Sequence, residues 1–369
     1  MIYCNRCVLP DTKPGLKIDN AGVCSACRAV ELKSQIDWSE RAAKLHKICD
    51  RIRGVNTNGY DCIVPVSGGK DSITQLHTMS KVYNLNLLAV NVVAHVQTVE
   101  GIENLNAMVE NLGVDLITIS VRPSTHKRIR KMALIKVGNP NYAEHRVVFA
   151  AVARAAYFYK VPLVVWGEDI GVEFGGNVDQ DSLESGDAKE LINNDLFREI
   201  EFDSLISDAS LNDELLFYKP PELDLIKNAN IKSIYLGYYQ WWDGSIHYDL
   251  ASTYGFQGRK LGPLSGNYLN YDNIDEKLCE VHSWLKFLKL GFWRPTDHTC
   301  YKIWNGYMSR PEAVDIVNSL QYEYPAYIDE FLEFHSISES DFFNVAEGFR
   351  NKEIFIKNNN KWKLKNEVS

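Results

Sequence analysis

The sequence predicts an α/β chain: a doubly wound parallel sheet with a cysteine-rich ribbon before it and a mainly helical part after it. Three observations carry this. Short apolar, β-branched runs alternate with helix-period segments between residues 60 and 166. The first such run leads into Ser67-Gly68-Gly69-Lys70-Asp71-Ser72 and then into a helical pattern. Four cysteines fall as Cys4-x2-Cys7 and Cys24-x2-Cys27, sixteen residues apart, the paired-knuckle spacing of a tetrahedral thiolate site.

A length of 369 residues exceeds one compact core. The expected division is 1–58 for ribbon and linker helix, 59–255 for the sheet domain with an acidic insertion at 179–214, and 256–369 for the helical part. The 45% apolar and 24% charged composition excludes disordered and collagen-like classes. The longest apolar runs, near Leu87–Val90 and Val161–Trp166, fall far short of the roughly 20 residues a membrane span requires. The N-terminus lacks a charged segment followed by an apolar stretch, so a cytoplasmic address is expected. A net charge of -8 disfavours bulk nucleic-acid binding.

Taken in order, Lys13-Pro14-Gly15 and Asn20-Ala21-Gly22 provide turns around the extended Leu16–Ile18, as a ribbon needs. A cage of four thiolates is saturated, which suits structural Zn²⁺; an iron–sulfur cluster or four unrelated buried cysteines are the alternatives. Cys49, Cys62, Cys279 and Cys300 have no partner at motif spacing and read as small buried hydrophobes. Residues 30–52 carry a helical period. In the loop that follows the strand at 60–66, two glycines admit backbone N–H groups to phosphate oxygens, and the next helix adds its dipole. Ser67, Lys70 and Ser72 are further donors. This is no Walker loop, since Lys70 precedes Asp71, and a plain serine-capped turn would account for only one glycine and one serine.

Strands at 85–93, 114–120 and 162–166 and helices at 101–112, 124–137 and 142–159 complete the alternation. Gly167-Glu168-Asp169 lies at a strand's carboxyl end, where Glu168 and Asp169 would hold Mg²⁺ on phosphates or cap the next segment. Residues 179–214 carry twelve carboxylates against Lys189 and Arg198, a solvated insertion or lid. A strand at 231–239 runs into six aromatic rings between Tyr235 and Tyr248. They suit a platform for a sugar, with Asp243 and His247 as polar partners, or simple packing. A helix is expected at 273–290, a loop of ionisable groups at 291–300, a capping-box helix from Ser309-Arg310-Pro311-Glu312 to Leu320, and a hairpin at 354–364.

The Ser67–Ser72 segment resembles the S-G-G-x-D-S signature of the PP-loop, or N-type, ATP pyrophosphatases. That resemblance implies ATP cleavage between the α and β phosphates. It also implies ATP contacts from Val66, Ser67, Gly68, Gly69, Lys70, Asp71, Ser72 and Gly167, catalytic roles for Asp71, Lys70 and Glu168, and Mg²⁺. Further motifs follow in one order: the Cys4/Cys7/Cys24/Cys27 ribbon, Trp166-Gly167-Glu168, Leu236-Gly237-Tyr238-Tyr239 with Trp242-Asp243, Leu288–Phe292 with Thr296-Asp297-His298, and Ser309–Ala313. Together with the loop they are similar to the bacterial N-acetyl sugar amidotransferases of lipopolysaccharide O-antigen and pseudaminic-acid-type glycan synthesis.

That second resemblance implies conversion of an acetamido to an acetamidino group on an N-acetyl sugar, through an adenylated intermediate; a nucleotide-linked sugar is the expected substrate and a lipid-linked one the alternative. It implies ammonia from glutaminase and cyclase-like partner subunits. Trp242, Asp243, Arg294, Asp297 and His298 become candidates for the sugar side. Trp293 stands where the resemblance calls for a smaller residue. The alternatives are a PP-loop tRNA thiolation enzyme and a non-catalytic ATP-binding scaffold of a glycan assembly complex.

Overall fold

Runs rich in Val, Ile and Leu pair side by side, the central ones buried on both faces as parallel sheets require and the edge run Asp115–Ile119 partly exposed. In the computed structural model, which describes residues 1–55, 59–168, 201–207, 211 and 214–369, five such strands form one sheet. They are β1 (Cys62–Val66), β2 (Leu87–Val92), β3 (Asp115–Ile119), β4 (Leu163–Trp166) and β5 (Lys232–Tyr235), in the order β3-β2-β1-β4-β5 and all parallel. The doubly wound sheet expected from the sequence is therefore present.

Alternate residues of β1 face opposite layers. Cys62, Val64 and Val66 pack with Ile73, Leu76, Leu105 and Met108 from the helices Lys70–His77 and Val99–Leu112. Ile63 packs with Val152, Ala155 and Ala156 of the helix Tyr142–Tyr159. Strand order reverses direction at β1, which lies between β2 and β4. A crevice must therefore open beyond the carboxyl ends of β1 and β4, the usual ligand position in open α/β sheets.

Several boundaries differ from the expectation. The helix at 30–52 is two, Ser25–Lys33 and Trp38–Ile52, because Asp37 breaks the run and caps the second through Ser39 N–H and Glu40 N–H. The helix expected from 273 begins only at Cys279, since 273–278 runs irregularly along the sheet domain. Residues 294–304 are a helix, not a loop. Pro295 occupies its first turn, where its missing N–H costs nothing, and the Thr299 hydroxyl donates to Pro295 O at 2.7 Å. The strand expected at 231–239 stops at Tyr235 and becomes a 3-10 turn, Leu236–Tyr238. The capping box at Ser309 and the hairpin (β6, Phe355–Asn358; β7, Lys361–Leu364) are as expected, and Asn359 and Asn360 both take the positive φ of a two-residue turn. The acidic insertion 179–214 and Asp169 lie outside the described residues, apart from 201–207, 211 and 214. No helix among the described residues is long and apolar enough to cross a membrane.

The first 58 residues divide between two cores. The helix Trp38–Ile52 buries Leu45, Cys49 and Ile52 against the sheet. The ribbon instead shares a core with Phe292, Cys300, Ala313 and Val317. Arg310 Nε donates to the carbonyls of Cys4 and Cys7, each at 3.1 Å, and the Thr12 hydroxyl donates to Leu290 O at 2.5 Å. The ribbon is thus a wall of the C-terminal part rather than a free knob.

Trp293, where a smaller residue was expected, is fully buried and donates Nε1–H to Gln321 O at 3.1 Å. Gly266 makes room for it: a Cβ there would lie 2.0 Å from the indole, and its φ of +71° suits glycine. Trp293→Ala should cost about 3–5 kcal/mol of stability by leaving a ring-sized cavity, read by chemical denaturation; a loss under 1 kcal/mol would refute the packing role.

Candidate active site

β1 ends at Val66 and the chain turns through Ser67, Gly68 and Gly69 into the helix Lys70–His77. Gly68 has φ +88°, and a Cβ on it would lie 2.7 Å from Gly101 O, so no other residue fits. Gly69 is the N-cap and offers no side chain, leaving the first-turn N–H groups toward the crevice. The Ser72 hydroxyl donates to Gly69 O at 2.8 Å and closes the turn, which fixes the loop rather than presenting a free donor. Gly167, at the end of β4, lies against Gln75, whose amide a Cβ would overlap.

Lys70 is buried, and its ammonium donates to Asp71 Oδ2 at 3.0 Å and Asp272 Oδ1 at 2.8 Å. Tyr271 and Trp242 present ring faces to it at 5.4 and 5.9 Å. The two carboxylates are bridged onward: His247 Nδ1 lies 2.6 Å from Asp71 Oδ1, and His298 Nε2 lies 3.1 Å from Asp272 Oδ2. Burial opposes these charges, but Lys70 and the histidines prevail, so both carboxyls lie below the ordinary carboxylate range and Lys70 above the usual lysine value.

Two cavities meet across Ser67, Asp71 and Ser72. The first, of about 320 Å³, lies over the strand ends and is walled by Val66, Val90, Val92, Val148, Val152 and Trp166, with Gln75, Glu144, Glu168 and Asp275 as polar groups. The second, of about 360 Å³, is lined by Lys13, Lys70, Lys286, Arg294, Asp272, Asp297 and Trp242. Glu168 faces the first cavity with Oε2 buried and without a hydrogen-bond partner. Burial, with Asp71 nearby, pushes its carboxyl up to about 7.

Of the sequence candidates, Val66, Ser67, Asp71, Ser72, Gly167 and Glu168 line the first cavity, and Gly69, Lys70, Trp242, Arg294 and Asp297 line the second. Two sugar-side candidates, Asp243 and His298, lie outside the linings of both cavities. Asp243 caps the helix Gly244–Ser252, accepting from Ser245 N–H at 2.8 Å and from the Tyr307 hydroxyl at 2.9 Å. His298 is fully buried, and Nδ1 accepts from the backbone N–H groups of Tyr268 and Leu269, which leaves the proton on Nε2 facing Asp272. It positions Asp272 and lines neither cavity.

The aromatic cluster is mainly packing. Tyr235 and Tyr239 are core residues, Trp241 meets Trp38 edge-on at 5.8 Å, Tyr248 stacks on Tyr271 at 4.5 Å, and Trp242 is the ring of this group that lines the second cavity. The sequence reading missed Lys13, Asp272, Asp275 and Lys286. It also dismissed Cys279, which lines the first cavity with its thiol pushed up to about 12 by burial. The 271–275 run carries two carboxylates three apart, the one local signal available.

The four ribbon cysteines are buried, with Cys4–Cys27 sulfurs 3.9 Å apart and Cys7–Cys24 sulfurs 3.6 Å apart. A tetrahedron with metal–sulfur bonds near 2.3 Å has edges of about 3.8 Å, so the cage fits a single ion; a cluster would spread the sulfurs farther. Backbone N–H groups of Arg6, Leu9 and Cys24 and the Trp304 indole N–H point at these sulfurs, as thiolates need. At the loop, the unpartnered Glu168 oxygen with Asp71 nearby is a donor set that suits a hard divalent cation.

Residues 265–369 match the protein family described as LPS biosynthesis protein WbpG-like, C-terminal domain. No curated protein matches the chain. Similar solved structures include the U34-tRNA thiolase NcsA from Methanococcus maripaludis with its [4Fe-4S] cluster, at 15% identity over 88% of this chain and 90% of that one, TM-score 0.33. The NH3-dependent NAD synthetase from Campylobacter jejuni is 15% identical over 53% of this chain and 93% of that one, TM-score 0.29. The NMN synthetase from Francisella tularensis is 15% identical over 61% and 89%, TM-score 0.29. Likeness this distant leaves the chemistry to be read from the chain's own residues.

A carboxyl raised on folding holds a proton that the unfolded chain releases, so its contribution to stability declines as pH rises from about 4.5 through about 7. Glu168→Gln should therefore raise the thermal midpoint of the metal-free, nucleotide-free protein at pH 8 and leave it unchanged at pH 4. Equal shifts at both pH values would contradict the buried, unpaired carboxyl.

Proposed function

We propose that this chain is an ATP-dependent amidotransferase of surface-glycan synthesis, converting a sugar acetamido group to an acetamidino group. The observation that carries the reading is the pair of cavities meeting at the Ser67–Ser72 loop, at the sheet's switch point. One is walled by apolar strand ends that suit a nucleoside, and the other is polar and suits a second reactant. The family description matched by residues 265–369 supports a place in lipopolysaccharide synthesis.

The chemistry explains why ATP is needed. An amide oxygen is a poor leaving group, so ammonia cannot displace it directly. The acetamido oxygen attacks the α-phosphorus, the α–β bond breaks, and pyrophosphate departs with its electron pair. The amide N–H proton is lost, leaving an O-adenylyl imidate. Ammonia then adds to the imidate carbon, AMP leaves, and the amidine remains. The loop N–H groups and the positive end of the helix Lys70–His77 stabilise charge on the departing phosphates. Asp71, kept ionised by Lys70 and His247, holds the loop's first turn in place. Mg²⁺ held by Glu168 and Asp71 would neutralise phosphate charge. Zn²⁺ in the cysteine cage would be structural, since all four thiolates are engaged. Ammonia would come from a partner glutaminase.

Purified protein with Mg-ATP, ammonium chloride at high pH and nucleotide-linked N-acetyl sugars should release AMP and pyrophosphate with a product lighter by about one dalton, oxygen replaced by NH. Asp71→Ala should lower that rate by about 100-fold or more. Cys279 in the nucleotide-side cavity is the observation favouring tRNA thiolation instead. Pyrophosphate release that needs tRNA and a sulfur donor, with every sugar inert, would establish that reading. ATP bound but never cleaved would establish a scaffold.

A further inference from the structure

The second cavity brings four cations, Lys13, Lys70, Lys286 and Arg294, together with four carboxylates, Asp71, Asp272, Asp275 and Asp297, but the carboxylates are shared unevenly. Lys70 is paired with Asp71 and Asp272, and Lys286 with Asp297 at 2.7 Å. Arg294 has no carboxylate within 4.0 Å among the described residues; Nη2 reaches the Cys279 thiol at 3.5 Å, and Nε is buried without a partner. Lys13, from the ribbon, also lacks a carboxylate there. Its ammonium lies over the Phe292 ring at 5.8 Å, and Lys286 shares that ring at 4.3 Å. Burial raises the carboxyl of the remaining cavity carboxylate, Asp275, while Arg259 and Arg294 oppose that rise. Crowding has a visible consequence: burial, with Lys13 and Arg294 nearby, pulls the Lys286 ammonium down to about 8 despite Asp297.

We propose that Lys13, Lys286 and Arg294 form a subsite for a diphosphate-class oxyanion, and that the four-cysteine ribbon completes this subsite by delivering Lys13. A guanidinium fork and two ammonium groups converging on a cavity of about 360 Å³ match the several oxygens and charges of such a group. Ser67, Gly69 and Lys70 also line it, so the oxyanion sits against the phosphate loop. Lys13 is held there by its neighbour Thr12, bonded to Leu290 O, and by Arg310, bonded to the Cys4 and Cys7 carbonyls. The Lys13-Pro14-Gly15 turn therefore serves the site as well as the ribbon. The subsite deepens the amidotransferase reading and rests on it only for the oxyanion's source, either the pyrophosphate end of ATP or the diphosphate of a nucleotide-linked sugar.

Isothermal titration of the full chain with inorganic pyrophosphate, and separately with UDP-N-acetylglucosamine, tests it on wild type, Lys13→Ala and Lys13→Arg. Lys13→Ala should weaken one of the two ligands by about tenfold or more, the worth of one charged contact, and Lys13→Arg should restore much of it. Adenosine affinity and thermal midpoint should not change, which separates a lost contact from a misfolded ribbon. Loss confined to pyrophosphate identifies the nucleotide's own phosphates as the occupant, and loss confined to the sugar nucleotide identifies the second substrate. If Lys13→Ala binds both as wild type does, or wild type binds neither, the subsite is refuted. A Lys13-dependent pyrophosphate site in a protein that makes no amidine would leave the subsite standing and defeat the amidotransferase reading alone.

Discussion

The Lys70 ammonium, buried between Asp71 and Asp272, is the interaction on which the site depends. Asp71 belongs to the loop's helix, while Asp272 arrives from the far part of the chain, so one cation joins the sheet domain to the C-terminal part. Removing one partner of such a buried pair typically costs about 3–5 kcal/mol, because the remaining charge is left uncompensated. His247 and His298 extend the pair at both ends, which fixes each carboxylate's rotamer as well as its charge. Asp71, at the centre of this chain of contacts, lines both cavities.

The same logic explains why several polar residues with chemical potential act one step back from the cavities. A buried carboxylate must accept hydrogen bonds, and Asp243 finds them at a helix N-terminus and the Tyr307 hydroxyl. His298 accepts from two backbone N–H groups at Nδ1, and its Nε2 lies 3.1 Å from Asp272 Oδ2. Glu168, with one buried oxygen unpaired, departs from this rule, and departures of this kind are where ligands are expected.

Packing of the ribbon against the C-terminal helices gives the metal cage a consequence beyond its own fold. Leu9, Phe292, Ala313 and Val317 form one core, and the Trp304 indole donates to the Cys27 sulfur at 3.2 Å. A segment of 33 residues is too short to bury a core alone, so the ribbon shares one with Phe292, Ala313 and Val317.

Read alone, the amino-acid sequence determines the alternating strands and helices, the phosphate loop, the cysteine cage and the capping box, because each is specified by local periodicity, turn chemistry or fixed spacing. Gly68 declares a loop through a conformation that other residues avoid, and two C-x2-C pairs declare a cage through their turns. Tertiary structure alone decided that Asp272 and Lys286 belong with Lys70, that Lys13 reaches the second cavity, and that Asp243 and His298 position other groups. Those facts join residues up to 284 positions apart, from Lys13 to Asp297, through charge pairing and burial. Neither leaves a periodic trace along the chain: a lysine that answers a distant aspartate looks, in sequence, like any other lysine.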